Sequence, residues 1–189
     1  MRRRLDLPSI LFAALSVLYP VLAVIGVHMA GAGAVIALLL LSLVARALFP
    51  AARKMSILLT AAPLAVAAAL AVAARLNPEL SVRLYPAFMN LAMLIAFAAT
   101  LWKPPSMIET FARITEPGLP ESGVRYTRVV TMVWIGFFVI NGGLALWTAL
   151  YGSWRSWTLY NGVIAYLMMG VLLGGEYLVR QRFRARYAS

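Results

Sequence analysis

Six long runs of apolar residues, separated by short polar stretches, account for most of this chain. A helix that crosses the hydrocarbon core of a bilayer needs about 20 mainly apolar residues, and each run is close to that length. The pattern therefore predicts an all-α membrane protein with six transmembrane helices in a single integral membrane domain, 1–189. We expect the spans at about 9–27, 34–49, 55–74, 85–102, 129–151 and 157–179.

The basic residues predict the orientation of these spans. With an even number of spans both termini lie on the same side, and 14 of the 17 Lys and Arg residues then fall on that side. Only Arg75, Arg83 and Arg155 fall on the other side. Because cytoplasmic loops are enriched in Lys and Arg, we expect both termini to be cytoplasmic.

Composition supports a membrane location. The chain is 63% hydrophobic and 12% charged, whereas about a quarter of the residues of a soluble domain are charged. The net charge of +11 sits at the ends of the predicted helices rather than on one surface, so we expect membrane lipids as partners and no nucleic acid.

Residues for catalysis are scarce. The chain has no cysteine, which excludes thiolate nucleophiles and cysteine metal ligands. Its one histidine, His28, lies in a predicted turn without an acidic neighbour, and Asp6 is its one aspartate. Phosphate-binding and dinucleotide-binding glycine motifs do not occur in the sequence. We therefore expect no catalytic residue, no metal site and no cofactor.

The one long loop, 103–128, contains the signature of a short helix. Pro104 and Pro105 end the fourth span, and Ser106-Met-Ile-Glu109 is a capping-box sequence. Apolar residues then recur at helical spacing, which predicts an amphipathic interfacial helix at about 106–115 on the cytoplasmic surface. Its expected contacts, with lipid or with a protein partner, are Met107, Phe111 and Arg113.

Polar side chains within the spans are costly and are therefore the candidate functional residues. Asn141 lies near the centre of the fifth span beside Gly142 and Gly143, and we predict a hydrogen bond from it to the fourth or sixth span. Glu176 precedes Arg180 by one helical turn, so an ion pair is expected, the alternative being a proton or substrate role for the carboxylate. The polar intramembrane candidates are Asn90, Asn141, Asn161, Glu176 and Arg180.

Two further patterns in the second half concern packing. Gly170 and Gly174 form a small-xxx-small stripe, which predicts close packing of the sixth helix within the bundle rather than a homodimer. Aromatic residues surround the predicted outer turn at Gly152, an arrangement more typical of an interfacial belt than of a ligand site. These aromatic residues are Tyr151, Trp154, Trp157 and Tyr160.

Several motifs resemble two bacterial families. The segment from Trp102-Lys-Pro104 to Trp134-Ile-Gly-Phe-Phe138 resembles the second half of the septation protein A inner-membrane family. The motifs Leu159-Tyr-Asn-Gly162 and Gly175-Glu-Tyr-Leu-Val-Arg180 resemble small inner-membrane proteins found with aryl polyene (xanthomonadin-type) pigment genes in Gram-negative bacteria. The resemblance implies a multi-pass bacterial inner-membrane protein of envelope biogenesis and supplies no catalytic residue.

Three functions remain open at this point. The first is a non-catalytic component of envelope or aryl polyene lipid biogenesis that scaffolds or recruits cytosolic lipid or polyene biosynthesis enzymes. The second is a carrier or flippase for a lipid-linked product, with Asn90, Asn141 and Asn161 along its path. The third is an atypical intramembrane enzyme. The sequence leaves the oligomeric state undetermined.

Overall fold

The computed structural model describes residues 25–27, 29–41 and 57–187, which are helical apart from short connections and include no strand. Three helices in this part of the chain are long and apolar enough to cross a membrane: Pro78–Trp102, Glu121–Tyr151 and Trp154–Phe183. The described part of the chain thus confirms the prediction of an all-α protein, and three of its helices can span a membrane. The helices are α1 (Met29–Leu41), α2 (Ile57–Leu76), α3 (Pro78–Trp102), α4 (Met107–Thr115), α5 (Glu121–Tyr151), α6 (Trp154–Leu159) and α7 (Ala165–Tyr187), with a π-helical turn, Tyr160–Ile164, between α6 and α7.

Two of the six predicted spans lie largely outside the described residues. The first, 9–27, is described only at 25–27, and the second, 34–49, only up to residue 41. Within the described part, α1 and the segment Leu64–Leu76 of α2 are shorter apolar helices.

The helices α2 and α3 form an antiparallel hairpin joined by one residue, Asn77. The Asn77 side chain accepts a hydrogen bond from the Leu80 N–H at 3.0 Å, and Pro78 occupies the first helical position. Both features are favourable at a helix N-terminus. As a result α3 begins before the predicted span at 85, and Arg83 lies inside the helix rather than in a loop.

The helices α3 and α5 pack antiparallel along their length. At one end Arg83 donates a hydrogen bond to the Thr148 carbonyl at 2.7 Å, and at the other Arg128 donates to the Leu101 carbonyl at 3.2 Å. We call these the Gly152 end and the Lys103 end, after the connections that lie there. Between the two ends the helices share a core made of Ala96, Phe97, Met107, Val130, Trp134, Phe137 and Phe138.

The short helix α4 is fastened to this pair at the Lys103 end. Its N-terminal backbone N–H groups, which have no partner within the helix, donate to two threonine hydroxyls: Met107 to Thr100 at 2.9 Å and Ile108 to Thr131 at 3.3 Å. The Met107 side chain is 1% exposed and belongs to the shared core. Met107, which was predicted to contact the membrane surface or a partner, is instead buried in the core, where these threonine contacts hold the start of α4.

The last helix is the most exposed of the three long ones. None of the residues 166–183 is buried, although Met168, Met169 and Leu172 pack against the shared core. A Cβ atom built on Gly170, Gly174 or Gly175 would meet no atom within 4 Å. The predicted close packing of the Gly170 and Gly174 stripe within the bundle is therefore wrong for the part of the chain that the structure describes.

Candidate functional site: polar contacts that join the helices

A chain of side-chain hydrogen bonds connects α3, α5 and the π-helical turn. The Tyr160 hydroxyl donates to Asn141 Oδ1 at 2.8 Å, and Asn141 Nδ2 donates to Asn90 Oδ1 at 2.9 Å. Asn90 Nδ2 in turn donates to the Pro86 carbonyl at 2.8 Å. The predicted interhelical hydrogen bond of Asn141 is confirmed, and Asn141 in fact bonds in both predicted directions, to the fourth and to the sixth predicted span.

A glycine beside Asn141 allows this contact. A Cβ atom on Gly142 would lie 3.0 Å from the Cβ of Asn90. Small residues let helix backbones approach closely in a membrane, so that short polar side chains can reach across. The neighbouring Gly143 has open space around its Cα, since a Cβ there would meet nothing within 4 Å. Among the residues that the structure describes, the close helix contact therefore depends on Gly142 and not on Gly143.

The π-helical turn directs two consecutive polar residues toward α5. Tyr160 reaches Asn141, while Asn161 Nδ2 donates to Thr148 Oγ1 at 3.3 Å and to the Trp157 carbonyl at 2.9 Å. Tyr160 and Asn161 are both buried. Asn141 and Thr148 are two turns apart and share a face of α5, and the wider π turn presents two adjacent side chains to that face.

The asparagine side chains are directed at protein groups. Asn141 is 5% exposed, and both its amide nitrogen and its carbonyl oxygen have partners. Leaving such a buried group unpaired would cost about 1–3 kcal/mol. Asn90 and Asn141 belong to one network, whereas Asn161 bonds to Thr148 and not to either of them. The three asparagines thus form two separate contacts rather than one continuous row.

The Gly152 end is held by Arg83, which sequence reasoning treated only as a topology signal. Its Nη2 donates to the carbonyl of Thr148, in the last turn of α5, and to the carbonyl of Gly152, the residue that caps the helix. Its own carbonyl accepts from Trp157 Nε1 at 2.9 Å, and its guanidinium lies 5.4 Å from the Trp154 ring centroid. A cation at a helix C-terminus satisfies orphan carbonyls and interacts favourably with the helix dipole.

The aromatic residues of this end divide into two kinds. Tyr151 is 77% exposed, as expected of an interfacial belt, whereas Trp157 is 0% exposed and, like Tyr160, belongs to the packing of the helices. The belt prediction is therefore wrong for Trp157 and Tyr160. The sequence did contain a signal for the arrangement, because Asn77-Pro78 is an N-cap followed by a first-turn proline, which places Arg83 within a helix.

At the Lys103 end, Glu176 forms the predicted ion pair. Its Oε1 lies 3.4 Å from Arg180 Nε and accepts a hydrogen bond from the Tyr126 hydroxyl at 3.3 Å. The carboxylate side chain is 15% exposed. The Tyr126 ring also stacks on Phe183, with ring centroids 4.8 Å apart. Glu176 is therefore held against α5, and these contacts attach the far part of α7 to the bundle.

The other predicted residues of α4 lie toward the outside. Phe111 is 37% exposed and Ile114 is more exposed. Arg113 pairs with Glu109 at 2.8 Å and donates to the Pro117 carbonyl at 3.1 Å. Phe111 remains accessible to lipid or to a partner. Arg113 contributes to the structure of α4, because it links Glu109 in the first turn to the Pro117 carbonyl just beyond the helix end.

Comparisons with known proteins find no relative for the chain. No protein-family model matches it, and no curated protein and no solved structure is significantly similar to it. Among the described residues, no group of three or more His, Cys, Asp or Glu residues could hold a metal ion.

Proposed function

We propose that this protein is a non-catalytic, multi-span component of the bacterial inner membrane that scaffolds or recruits enzymes of envelope or aryl polyene lipid biogenesis. The observation that carries this proposal is the network of Tyr160, Asn141 and Asn90, in which the donors go to protein acceptors. Such a network fastens helices together, whereas a substrate path needs polar groups that face a cavity. The aryl polyene setting is supported by the motif resemblance alone.

The proposed topology has six spans, with both termini and the segment 103–128 in the cytoplasm. The division of charge between the two ends of the bundle supports it, because cytoplasmic loops are enriched in Lys and Arg. The described basic residues near the Gly152 end are Arg75, Arg83 and Arg155. Those near the Lys103 end, or beyond it on α7, are Lys103, Arg113, Arg125, Arg128, Arg180, Arg182, Arg184 and Arg186.

Labelling of single cysteines tests this topology, since the chain has no native cysteine. Glu79→Cys and Arg155→Cys, both at exposed positions, should react with an impermeant thiol reagent in cells whose outer membrane is permeable to it. Ser122→Cys should react only after the inner membrane is opened. The reverse pattern would overturn the orientation, and labelling of all three positions in intact cells would overturn the proposed loop arrangement.

The exposed side of α4 is the proposed recruitment surface. Ile114 is 72% exposed there, at the end that the topology places in the cytoplasm. Copurification from native membranes, with mass spectrometry of proteins and lipids, should recover a biosynthesis enzyme with the wild type and lose it with Ile114→Asp. Thr115→Asp adds the same charge at the neighbouring exposed position and should retain the enzyme. Equal recovery from all three proteins would contradict recruitment by α4.

A second candidate, a carrier or flippase for a lipid-linked product, is favoured by the position of Asn141 deep in a span. Purified protein in vesicles separates the two functions. The scaffold proposal expects lipid translocation no faster than in protein-free vesicles. The carrier function would be supported, and the scaffold proposal contradicted, if translocation requires the protein and Asn141→Leu abolishes it while still inserting normally.

A further inference from the structure

At the Lys103 end some basic side chains are paired with carboxylates and others are not. Three carboxylates there are each paired with an arginine one turn later on the same helix, as Glu109–Arg113, Glu121–Arg125 and Glu176–Arg180. Lys103 and Arg128 are both exposed, and neither forms an ion pair within the part of the chain that the structure describes. Next to the end of α3 there are therefore two cations with no carboxylate partner among the described residues.

A hydrogen bond holds one of these cations in place. Arg128 Nη1 donates to the carbonyl of Leu101, so the guanidinium of α5 lies against the last turn of α3. The next two residues are Trp102, which is 81% exposed, and Lys103, which ends the helix. A fixed guanidinium loses less freedom when it binds an anion than a free side chain does.

The position along the helices corresponds to the headgroup region. Arg128 precedes the exposed Tyr151 by 23 residues of continuous helix, which is about 35 Å at 1.5 Å per residue. The hydrocarbon core is about 30 Å thick, and the headgroup layers extend it to about 40–45 Å. With Tyr151 at one interface, Arg128 and the neighbouring Trp102 lie at the opposite one, where indole rings favour the headgroup level.

We infer that Trp102, Lys103 and Arg128 form a binding site for the headgroup of an anionic phospholipid. The guanidinium can donate to two phosphate oxygens, the ammonium adds a point charge, and the indole contacts the glycerol and upper acyl region. The sequence predicts lipid contacts in general, and this inference assigns an anionic lipid to one particular site. It requires only that α3 and α5 span a membrane, and it holds for a scaffold as well as for a carrier.

Native mass spectrometry of the full chain, released from mixed micelles of phosphatidylglycerol and phosphatidylcholine, tests this site. Each basic residue near an anionic surface contributes roughly a fivefold factor in affinity. Lys103→Gln should therefore bind phosphatidylglycerol about fivefold more weakly, and Lys103→Gln with Arg128→Gln about 25-fold more weakly. Phosphatidylcholine binding should not change. The matched control, Arg75→Gln with Arg155→Gln, removes two exposed charges at the other end and should retain the wild-type preference.

Other outcomes would overturn the inference. An equal loss in the matched control would show that net charge, rather than this site, selects the lipid. Displacement of phosphatidylglycerol by inorganic phosphate at constant ionic strength would show a site for free phosphate instead of a headgroup. Lys103→Gln with wild-type affinity would remove Lys103 from the site; this variant is informative even if the double variant folds poorly, because the Lys103 side chain is exposed.

Discussion

The central pair α3 and α5 and the last helix, α6 to α7, are all apolar enough to span a membrane, yet they are packed very differently. The central pair is joined at both ends and in the middle by hydrogen bonds, through Arg83, Asn90 and Arg128. The last helix is held through the Tyr160 and Asn161 turn at one end and through Glu176 at the other. Its residues 166–183 are at most partly buried.

The difference follows from the solvent. Lipid tails are as apolar as leucine, so an apolar side chain gains little by moving from lipid to protein, and hydrogen bonds and close backbone approach decide which helices pack tightly. Gly142 allows such an approach, whereas Gly170, Gly174 and Gly175 have open space in front of them as far as the described residues go. Hydropathy therefore identifies helices that can span a membrane without indicating which of them pack most closely within the described part of the chain.

The largest expected effect is that of removing Arg83. Arg83→Met leaves the terminal carbonyls of α5 without their charged donor and should lower the free energy of unfolding by about 3 kcal/mol, because hydrogen bonds to charged groups contribute about 1.5–3 kcal/mol each. Denaturant titration in mixed micelles measures it. Arg155→Gln removes an exposed charge at the same end and should change stability by less than about 0.5 kcal/mol. Equal effects would show that Arg83 acts only through charge.

The network at Asn141 should give the next largest effect. Asn141→Leu removes the bonds to Asn90 and Tyr160 and should cost about 0.6–2 kcal/mol in the same titration. Tyr160→Phe removes only one bond and should cost less, about 0.6 kcal/mol. The double variant should then cost little more than Asn141→Leu alone, because the two residues share that bond. Fully additive costs would mean that the Tyr160 bond is not formed in the membrane.

Two glycine substitutions sharpen the comparison between the helices. Gly142→Ala brings a methyl group against the Asn90 Cβ, an atom that cannot move without moving α3, and should cost about 1 kcal/mol. Gly174→Ala places its methyl group in open space and should be neutral or slightly stabilising, since alanine favours the helix by up to about 1 kcal/mol. A loss of stability in Gly174→Ala would show that a partner helix covers α7. The difference in packing between α7 and the central pair would then not hold.

Among the polar contacts, the one at Glu176 should contribute little. Glu176→Gln keeps an acceptor for the Tyr126 hydroxyl and loses only an ion pair with the half-exposed Arg180, so stability should fall by less than about 1 kcal/mol and function should persist. Complementation of a deletion strain and the micelle titration together measure this. A variant that inserts and folds normally but does not complement would give the carboxylate an active role, and would favour the carrier or enzyme hypothesis.

Sequence reasoning was most accurate where one helix defines the geometry. The pair Glu176–Arg180 follows from the spacing of a single helical turn, and the start of α4 follows from the capping sequence at Ser106. That Asn141 would bond to a neighbouring helix was also predictable, because an unpaired amide is costly inside a membrane. These statements need only local geometry and the polarity of the surroundings.

The sequence by itself determined that the chain is helical, that it contains helices able to span a membrane, and which polar residues need partners. Only the tertiary structure decided which partners they have. The choice of Tyr160 required a π-helical turn, the role of Arg83 required the end of α5 to lie beside α3, and the burial of Met107 required Thr100 and Thr131 to meet at the start of α4. Three of these contacts join residues 19, 65 and 23 positions apart in the chain, and the fourth, between Thr100 and Met107, joins two different helices. The distances between these residues depend on how whole helices pack, which the local pattern of apolar and polar residues does not encode.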